Sequence, residues 1–250
     1  MTGRAIPLRG SPGPGGPGAE GRAKALANRQ MFAHIALRYD LMNRLMSWGR
    51  DSVWRRAAAE MAGARPGSLT LDMATGTGDL AFAVAARGGQ VVGIDICQPM
   101  IALGRRKAQQ RGLERRAVFA LGDGLSLPFA AGTFDAAVTA FALRNVADVK
   151  AALGELHRVL KPGGRLACIE TLPAPQKGLR LLHLTYLGIV VPLLARVITG
   201  NSQAYLYLRD SVRSFYNAQD LRALLEEVGF GQVHYRFYHF RSVAIHTGIK

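Results

Sequence analysis

Residues 69–81 read Leu69-Thr70-Leu71-Asp72-Met73-Ala74-Thr75-Gly76-Thr77-Gly78-Asp79-Leu80-Ala81. The first six form a short apolar run, the pattern of a strand, and the residues from Asp79 to about Gly88 have helical character. Between them, Gly76 and Gly78 let the backbone turn sharply and come close to a ligand. The same alternation continues outward. Strands are expected at Gln90–Ile96, Arg116–Asp123, Phe134–Phe141 and Arg165–Leu172, with helices at Pro99–Gly112 and Asp148–Leu160 between them. A last helix is expected near 219–228, and Gly231–Phe240 with Ser242–Lys250 can pair as a closing hairpin. Strand–helix alternation with strands apolar on both faces implies an α/β fold built on a doubly wound, mostly parallel sheet. Ahead of it, residues 23–62 place Phe32, Ile35, Tyr39, Met42 and Met46 at helical spacing, which predicts two or three N-terminal helices.

The loop alone does not choose its ligand. Gly76-Thr77-Gly78-Asp79-Leu80-Ala81 also satisfies the GxGxx(G/A) pattern of dinucleotide sites. Charge separates the two readings. A pyrophosphate sits on a helix N-terminus, a place that favours anions, yet this region holds Asp72 and Asp79, with Asp95 and Asp123 expected at neighbouring strand ends. Four carboxylates around a pyrophosphate would be strongly repulsive. S-adenosylmethionine brings an ammonium, a sulfonium and a single carboxylate, and it suits an acidic rim. Asp95, seventeen residues past Gly78, can accept both hydroxyls of a ribose; Asp123, in Gly122-Asp123-Gly124, can accept from an adenine amine.

Composition bounds the rest. A chain of 250 residues, 49% hydrophobic, can bury one full core, and 23–250 is expected to be a single domain. Residues 1–22 are rich in Pro and Gly and read as a flexible tail; with no apolar core segment it is not a secretory signal, and it lacks the Ser and amphipathic pattern of a transit peptide. Cys97 and Cys168 are far apart, which fits a reducing cytoplasm, and no His/Cys cluster has metal-ligand spacing, so no metal is expected. A net charge of +15 favours an anionic partner. Its basic residues fall in the tail (Arg4, Arg9, Arg22, Lys24, Arg29), in Arg105–Arg116 and around Lys177, Arg180 and Arg196. They form no continuous stripe, so a membrane surface suits them at least as well as nucleic acid.

These segments in this order resemble the menaquinone/ubiquinone biosynthesis methyltransferases, a class I S-adenosylmethionine-dependent family. The likeness runs over about residues 31–250: MFAHIALRYDLMNRLMSWGRDSVWRR (31–56), LDMATGTGDLA (71–81), VVGIDICQPM (91–100), FDAAVTAFALRNVADVKAALGELHRVLKPGGRL (134–166), AYLYLRDSVRSF (204–215) and LLEEVGF (224–230). The most specific pieces are Tyr39-Asp40-x-x-Asn43, Leu143-Arg144-Asn145-Val146 and Ala204-Tyr205-x-Tyr207-Leu208. The resemblance implies a Rossmann-like sheet of seven strands with an antiparallel C-terminal hairpin, and carbon methylation of a prenylated quinol, in demethylmenaquinol, in the 2-polyprenyl-6-methoxy-1,4-benzoquinol step of ubiquinone synthesis, or in both. It puts cofactor contacts on Thr77, Asp95, Asp123 and Gly124; together with the loop reading, the expected cofactor set is Asp72, Gly76, Thr77, Gly78, Asp95, Ile96, Asp123, Gly124 and Ala140. There are departures: Thr75 stands where Cys or Gly is usual, Ala140 offers no hydroxyl where Ser can occur, and Thr171-Leu172-Pro173-Ala174-Pro175 replaces a Phe-Ser-Lys-Pro pattern.

A ring carbon becomes nucleophilic when a neighbouring hydroxyl loses its proton, so the enzyme's task is alignment and support of a phenolate. Arg144 and Asn145, just past the Phe134–Phe141 strand, are the candidates, with a water carrying the proton and Tyr39 completing the network. The competing reading pairs Arg144 with an acid such as Asp148 and leaves Tyr39 as core. His157 reads as packing or surface, and Asp40 as a capping or pairing residue. Residues 173–215 are expected to insert as a substrate cap; within them 179–199 is the most apolar stretch, too interrupted to span a bilayer of about 20 residues, but suited to a greasy lid at the inner face of the membrane. A homodimer is compatible with these readings. A nucleic-acid methyltransferase is disfavoured because Ala140-Phe141-Ala142-Leu143 stands where Asn/Asp-Pro-Pro-Tyr/Phe would be, and a non-catalytic relative is disfavoured by the intact loop. The alternative that stays open is a methyltransferase for another lipophilic phenol or secondary metabolite.

Overall fold

The computed structural model describes residues 6–8, 19–173, 177–199 and 203–250. Its centre is one sheet in the order β3-β2-β1-β4-β5-β7-β6, formed by β1 (Leu69–Met73), β2 (Gln90–Asp95), β3 (Ala117–Leu121), β4 (Phe134–Ala140), β5 (Leu160–Thr171), β6 (Gly231–Tyr238) and β7 (Val243–Ile249). β1 to β5 pair in parallel; β7 inserts antiparallel between β5 and β6, in the register Cys168↔His246 and His234↔Thr247. The chain order jumps outward from β1 in both directions, so the carboxyl ends of β1 and β4 face a crevice at the switch point, where ligands of such sheets bind.

Helices α3 (Asp79–Ala86), α4 (Gln98–Gln110), α5 (Val149–Val159) and α9 (Ala218–Val228) flank the sheet. Their apolar faces and the strands enclose two buried clusters, one around Leu80, Phe82, Ile101 and Phe119, the other around Met73, Phe134, Leu153 and Leu225. Asp148 caps α5 by accepting from the Ala151 N–H at 2.9 Å, and Asn217 caps α9 from Gln219 and Asp220. His157 packs edge-on against Phe230 at 5.0 Å. Gly78 is the residue the loop most needs. It opens α3 in the left-handed region at φ 90°, and a Cβ there would lie 2.6 Å from the Phe119 ring.

The expected N-terminal helices are α1 (Ala19–Met46) and α2 (Asp51–Met61). Two features of the described residues fall within the stretch 1–22. α1 starts at Ala19, inside the stretch read as flexible, and Ile6–Leu8 lie on the sheet's flank: Leu8 bridges Phe129, Ala130 donates to the Pro7 carbonyl at 3.1 Å, and Ile6 packs on the core. Arg4 and Arg9 lie outside the described residues. β5 also begins earlier than expected, at Leu160, because the Pro162-Gly163-Gly164 turn is accommodated as a register shift against β4 rather than as a break.

Between β5 and α9 come α6 (Lys177–Thr185), a π-helical turn (Tyr186–Val190), α7 (Val191–Thr199) and α8 (Gln203–Ser214). α7 and α8 pack on α1, and Ile35, Met42, Leu187, Val191, Tyr205 and Val212 make a third buried cluster apart from the sheet. No helix of the described residues is long and apolar enough to cross a membrane.

Candidate active site

Two cavities adjoin at the carboxyl ends of β1 and β4. The first, with about 880 Å³ of open space, lies over β1, β2 and the loop after β3, and is lined by Gly76, Asp95, Ile96, Asp123, Gly124 and Ala140 among others. Each Asp95 oxygen is already oriented: Oδ2 accepts the Gly76 N–H at 2.9 Å and Oδ1 the Cys97 N–H at 2.8 Å. Carboxylate oxygens accept more than one hydrogen bond, so both keep capacity for vicinal hydroxyls. Burial raises the Asp95 pKa, opposed by the Cys97, Gly76 and Ile96 amides. Asp123 Oδ1 accepts from the Leu125 N–H at 2.9 Å and thereby holds the loop that presents Gly124. A Cβ on Gly124 would stand 2.9 Å from Met73 Sδ, so a larger residue there would require the Met73 side chain to move. Phe32, Met100 and Leu125 give this cavity an apolar wall for a flat ring.

The remaining loop residues face elsewhere. Asp72 is buried behind the loop on a smaller cavity, where its Oδ2 accepts the Thr75 hydroxyl at 2.6 Å; burial pushes its carboxyl up to about 7. Thr77 donates its hydroxyl to Asp40 at 2.5 Å, and Lys107 bonds Asp40 at 2.8 Å, Asp79 at 2.5 Å and Thr77 at 3.1 Å. Of the four carboxylates counted from the sequence, Asp79 is therefore spent on Lys107 and Asp72 on the loop's own support. Asp95 and Asp123 carry the acidic character of the cavity. The Lys107 network also ties α1 to the glycine loop. With Asn28 Nδ2 on the Asn145 carbonyl at 2.7 Å and Lys24 on the Val146 carbonyl at 2.8 Å, it makes α1 the roof of the site.

The second cavity, about 950 Å³, lies between α1, α2, the 143–145 turn, α6, α8 and the β6–β7 hairpin. Met31, Ile35, Trp54, Leu187 and Val243 make its surface largely apolar. Phe32, Tyr39, Phe141 and Asn145 line both cavities and form the wall between them. Phe141 is held with φ at 58°, a strained conformation for an aromatic residue. Its N–H donates to the Ile169 carbonyl at 2.7 Å, and its ring stands between Trp54 and the guanidinium groups of Arg55 and Arg144. That turn swings Arg144 into the second cavity.

Arg144 is paired, but with Glu170 at the end of β5 rather than with Asp148, which is occupied as the α5 cap. Its Nη1 lies 2.8 Å from Glu170 Oε2, and Glu170 Oε1 accepts the Leu143 N–H at 2.6 Å. Burial raises the Glu170 pKa and the Arg144 charge opposes that rise. The pair fixes one edge of the guanidinium and leaves Nε buried without a hydrogen-bond partner. His183 Nδ1, His239 Nδ1 and the hydroxyls of Tyr205 and Tyr207 line the same cavity in the same state. The two histidines escaped the sequence reading, since each is an isolated polar residue in an apolar or aromatic run. The two tyrosines were noticed only as part of a motif.

The pattern that defines the ubiE/COQ5 methyltransferase family matches residues 21–250. The chain is 48% identical over 220 residues to the demethylmenaquinone methyltransferase of Thermus thermophilus, covering 87% of this chain and 99% of that one. It is 36% identical to the ubiquinone/menaquinone biosynthesis C-methyltransferase of Dinoroseobacter shibae, over 88% of this chain and 89% of that one. Among solved structures, a putative S-adenosyl-L-methionine-dependent methyltransferase from Methanococcus maripaludis superposes with a TM-score of 0.64 at 18% identity, over 86% and 91% of the two chains. A methyltransferase from Aquifex aeolicus gives 0.60 at 18% identity, over 84% and 97%. The [4+2]-cyclase SpnF gives 0.61 at 19% identity, over 89% and 94%, so the fold does not by itself fix the reaction. On the match over residues 21–250 and the 48% identity to the Thermus relative, the chain belongs to the ubiE/COQ5 methyltransferase family.

Proposed function

We propose that this protein transfers a methyl group from S-adenosylmethionine to a ring carbon of a prenylated quinol, with demethylmenaquinol as the first acceptor to consider. The observation that carries the reading is the wall of Tyr39, Phe141 and Asn145 shared by an acidic-rimmed cavity and an apolar one. The name borne by the Thermus relative supports the naphthoquinol acceptor.

The residues present fit the cofactor: Asp95 keeps acceptor capacity for ribose hydroxyls, Asp123 and the Gly124 backbone border an apolar slot suited to adenine, and Gly76 brings the main chain close. When bound, S-adenosylmethionine supplies an electrophilic methyl on a sulfonium. The chain's own groups hold the acceptor ring and settle its charge. Arg144 offers a guanidinium, which acts by field and hydrogen bond; with one edge fixed on Glu170, it can hold a quinolate oxygen beside the shared wall. Asn145 is aimed by its Nδ2 bond to the Phe141 carbonyl at 3.1 Å. Tyr39, set by its neighbour Asp40 in the Lys107 network, can extend the hydrogen bonding to a proton-carrying water. The surrounding apolar residues keep bulk water from the reacting ring.

Residues 173–215 serve in this reading as the cap that admits the prenyl tail; 174–176 and 200–202 lie outside the described residues. Ile189, Leu193 and Val197 on this cap, and Leu37 on the adjacent α1, are exposed, Leu37 and Val197 to about 80%. With the basic surplus of the chain, that face supports peripheral contact with an anionic membrane from the cytoplasmic side. The functional reading is tested by incubating purified protein with S-adenosylmethionine and short-chain demethylmenaquinol under reducing conditions. Product one methyl heavier supports it; cofactor binding without product moves the acceptor to another lipophilic phenol.

A further inference from the structure

The acceptor cavity holds more hydrogen-bonding capacity than Arg144, Asn145 and Tyr39 account for. His183 on α6 and His239 at the tip of the β6–β7 hairpin both line it, and neither lines the cofactor cavity. The Nδ1 atom of each is buried without a hydrogen-bond partner. Leaving one such nitrogen unpaired among apolar side chains is unfavourable, and two in one cavity point to a ligand that satisfies them. Both rings come from segments distant in the chain, so no local turn or cap explains them.

The surroundings aim His239. Its backbone is left-handed at φ 44°, its carbonyl accepts from the Ser242 N–H at 3.0 Å and hydroxyl at 2.7 Å, and its ring stands edge-on to Trp54 at 5.7 Å. Burial pushes His183 down to about 4, and His239 opposes its protonation further. Burial and the Arg50 cation hold His239 below its ordinary value. Among the described residues the one carboxylate on the cavity wall, Asp51, is engaged by the Ser47 hydroxyl at 3.0 Å and lies 3.6 Å from Arg55. The other titratable groups on the wall are Arg144 and the phenols of Tyr39, Tyr186, Tyr205 and Tyr207. Both imidazoles are thus neutral at neutral pH, each with one donor and one acceptor nitrogen. Such a pair suits an uncharged hydroxyl, to which each ring can offer either a donor or an acceptor.

Resting on the reading of this cavity as a quinol site, we propose that His183 and His239 form a neutral clamp for the ring hydroxyl farther from the cofactor, while Arg144 serves the hydroxyl next to the methylated carbon. The clamp makes the protein selective for para-dihydroxy rings over simple phenols. It fixes the ring by two opposed oxygens and takes no proton itself; the histidines are positioning and specificity residues.

The test measures kcat and KM with a short-chain demethylmenaquinol and with its analogue lacking the distal hydroxyl. The variants are His183→Phe, His239→Phe and, retaining a polar atom near Nδ1, His183→Asn and His239→Asn. Wild type is expected to favour the diol by about tenfold or more in kcat/KM, near the effect of one to two neutral hydrogen bonds. Each Phe variant should lose most of that preference through a raised KM for the diol, with the mono-ol little changed and cofactor affinity within about twofold of wild type. The Asn variants should recover part of it. An equal fall for both acceptors, or a preference that persists in the His183→Phe/His239→Phe double variant, would overturn the clamp. Wild type that binds cofactor yet methylates neither acceptor would overturn the quinol reading, and the clamp with it.

Discussion

The two cavities are built on opposite plans. On the cofactor side the polar contacts come from the ends of β1, β2 and β3 and the loops that leave them, beneath the α1 roof: Asp95 ends a paired strand and holds Gly76 through its main-chain amide. The acceptor side is assembled by side chains from α1, α2, the 143–145 turn, α6, α8 and a hairpin tip, elements that meet only in the folded chain. Arg144 Nε, both histidine Nδ1 atoms and two tyrosine hydroxyls are left unpaired there, where Asp95 and Asp123 on the cofactor side are tied to main-chain amides. A ligand shared by many enzymes is met by rigid backbone geometry; one that varies among them is met by side chains on a separate layer.

Separating the two sides experimentally should give the largest effect at Arg144. Replacing Arg144 and Glu170 together by Gln avoids leaving a buried carboxylate unpaired, which alone would cost about 3–5 kcal/mol. The double variant is expected to lose about 10²–10³ in kcat while calorimetric cofactor affinity stays near wild type. A parallel loss of cofactor affinity would show that the sides are not separable. The complementary change, Asp95→Asn, should weaken cofactor binding by roughly 10- to 100-fold, the scale of losing hydrogen bonds to a charged group, with little change in acceptor KM at saturating cofactor.

A smaller effect concerns the support behind the loop. Because burial lifts Asp72 from 3.8 to about 7, the folded state binds its proton more tightly than the unfolded chain. Its contribution to stability is therefore full at low pH and is lost as pH rises through about 7. Between pH 5 and pH 9 wild type should lose on the order of 3 kcal/mol relative to Asp72→Asn, read from denaturant midpoints at both pH values. Parallel pH profiles would contradict the buried, uncharged Asp72. Least of all, Lys107→Met should raise both KM values by a few fold, because the Lys107 network ties the α1 roof over both cavities; a change confined to one substrate would assign the roof to that side alone.

The same division explains what could be read in advance. The β1 apolar run, the Gly76–Gly78 loop and Asp95 lie within one strand–helix–strand unit, where spacing in the chain is spacing in the site, and the doubly wound sheet followed from that alternation. Thr77 and Asp72 belonged to the same unit but turned inward, because their direction depends on Asp40 and Thr75 partners that spacing does not specify. Arg144 was legible as a residue but not its partner Glu170, which lies on a neighbouring strand 26 residues away. His183 and His239 were not legible at all, since only the cavity that α6 and the hairpin tip both line gives either one meaning. Ile6 and Leu8, within the stretch expected as a tail, make an apolar contact and an isolated bridge to Phe129 that composition does not specify.

Methyl transfer to carbon across the Tyr39–Phe141–Asn145 wall is tested by supplying methyl-¹³C S-adenosylmethionine with short-chain demethylmenaquinol and locating the label by NMR. One labelled methyl is expected on the ring carbon beside a hydroxyl, formed by wild type and lost in the Arg144→Gln/Glu170→Gln variant. Label on oxygen, or label on carbon undiminished in that variant, would contradict it.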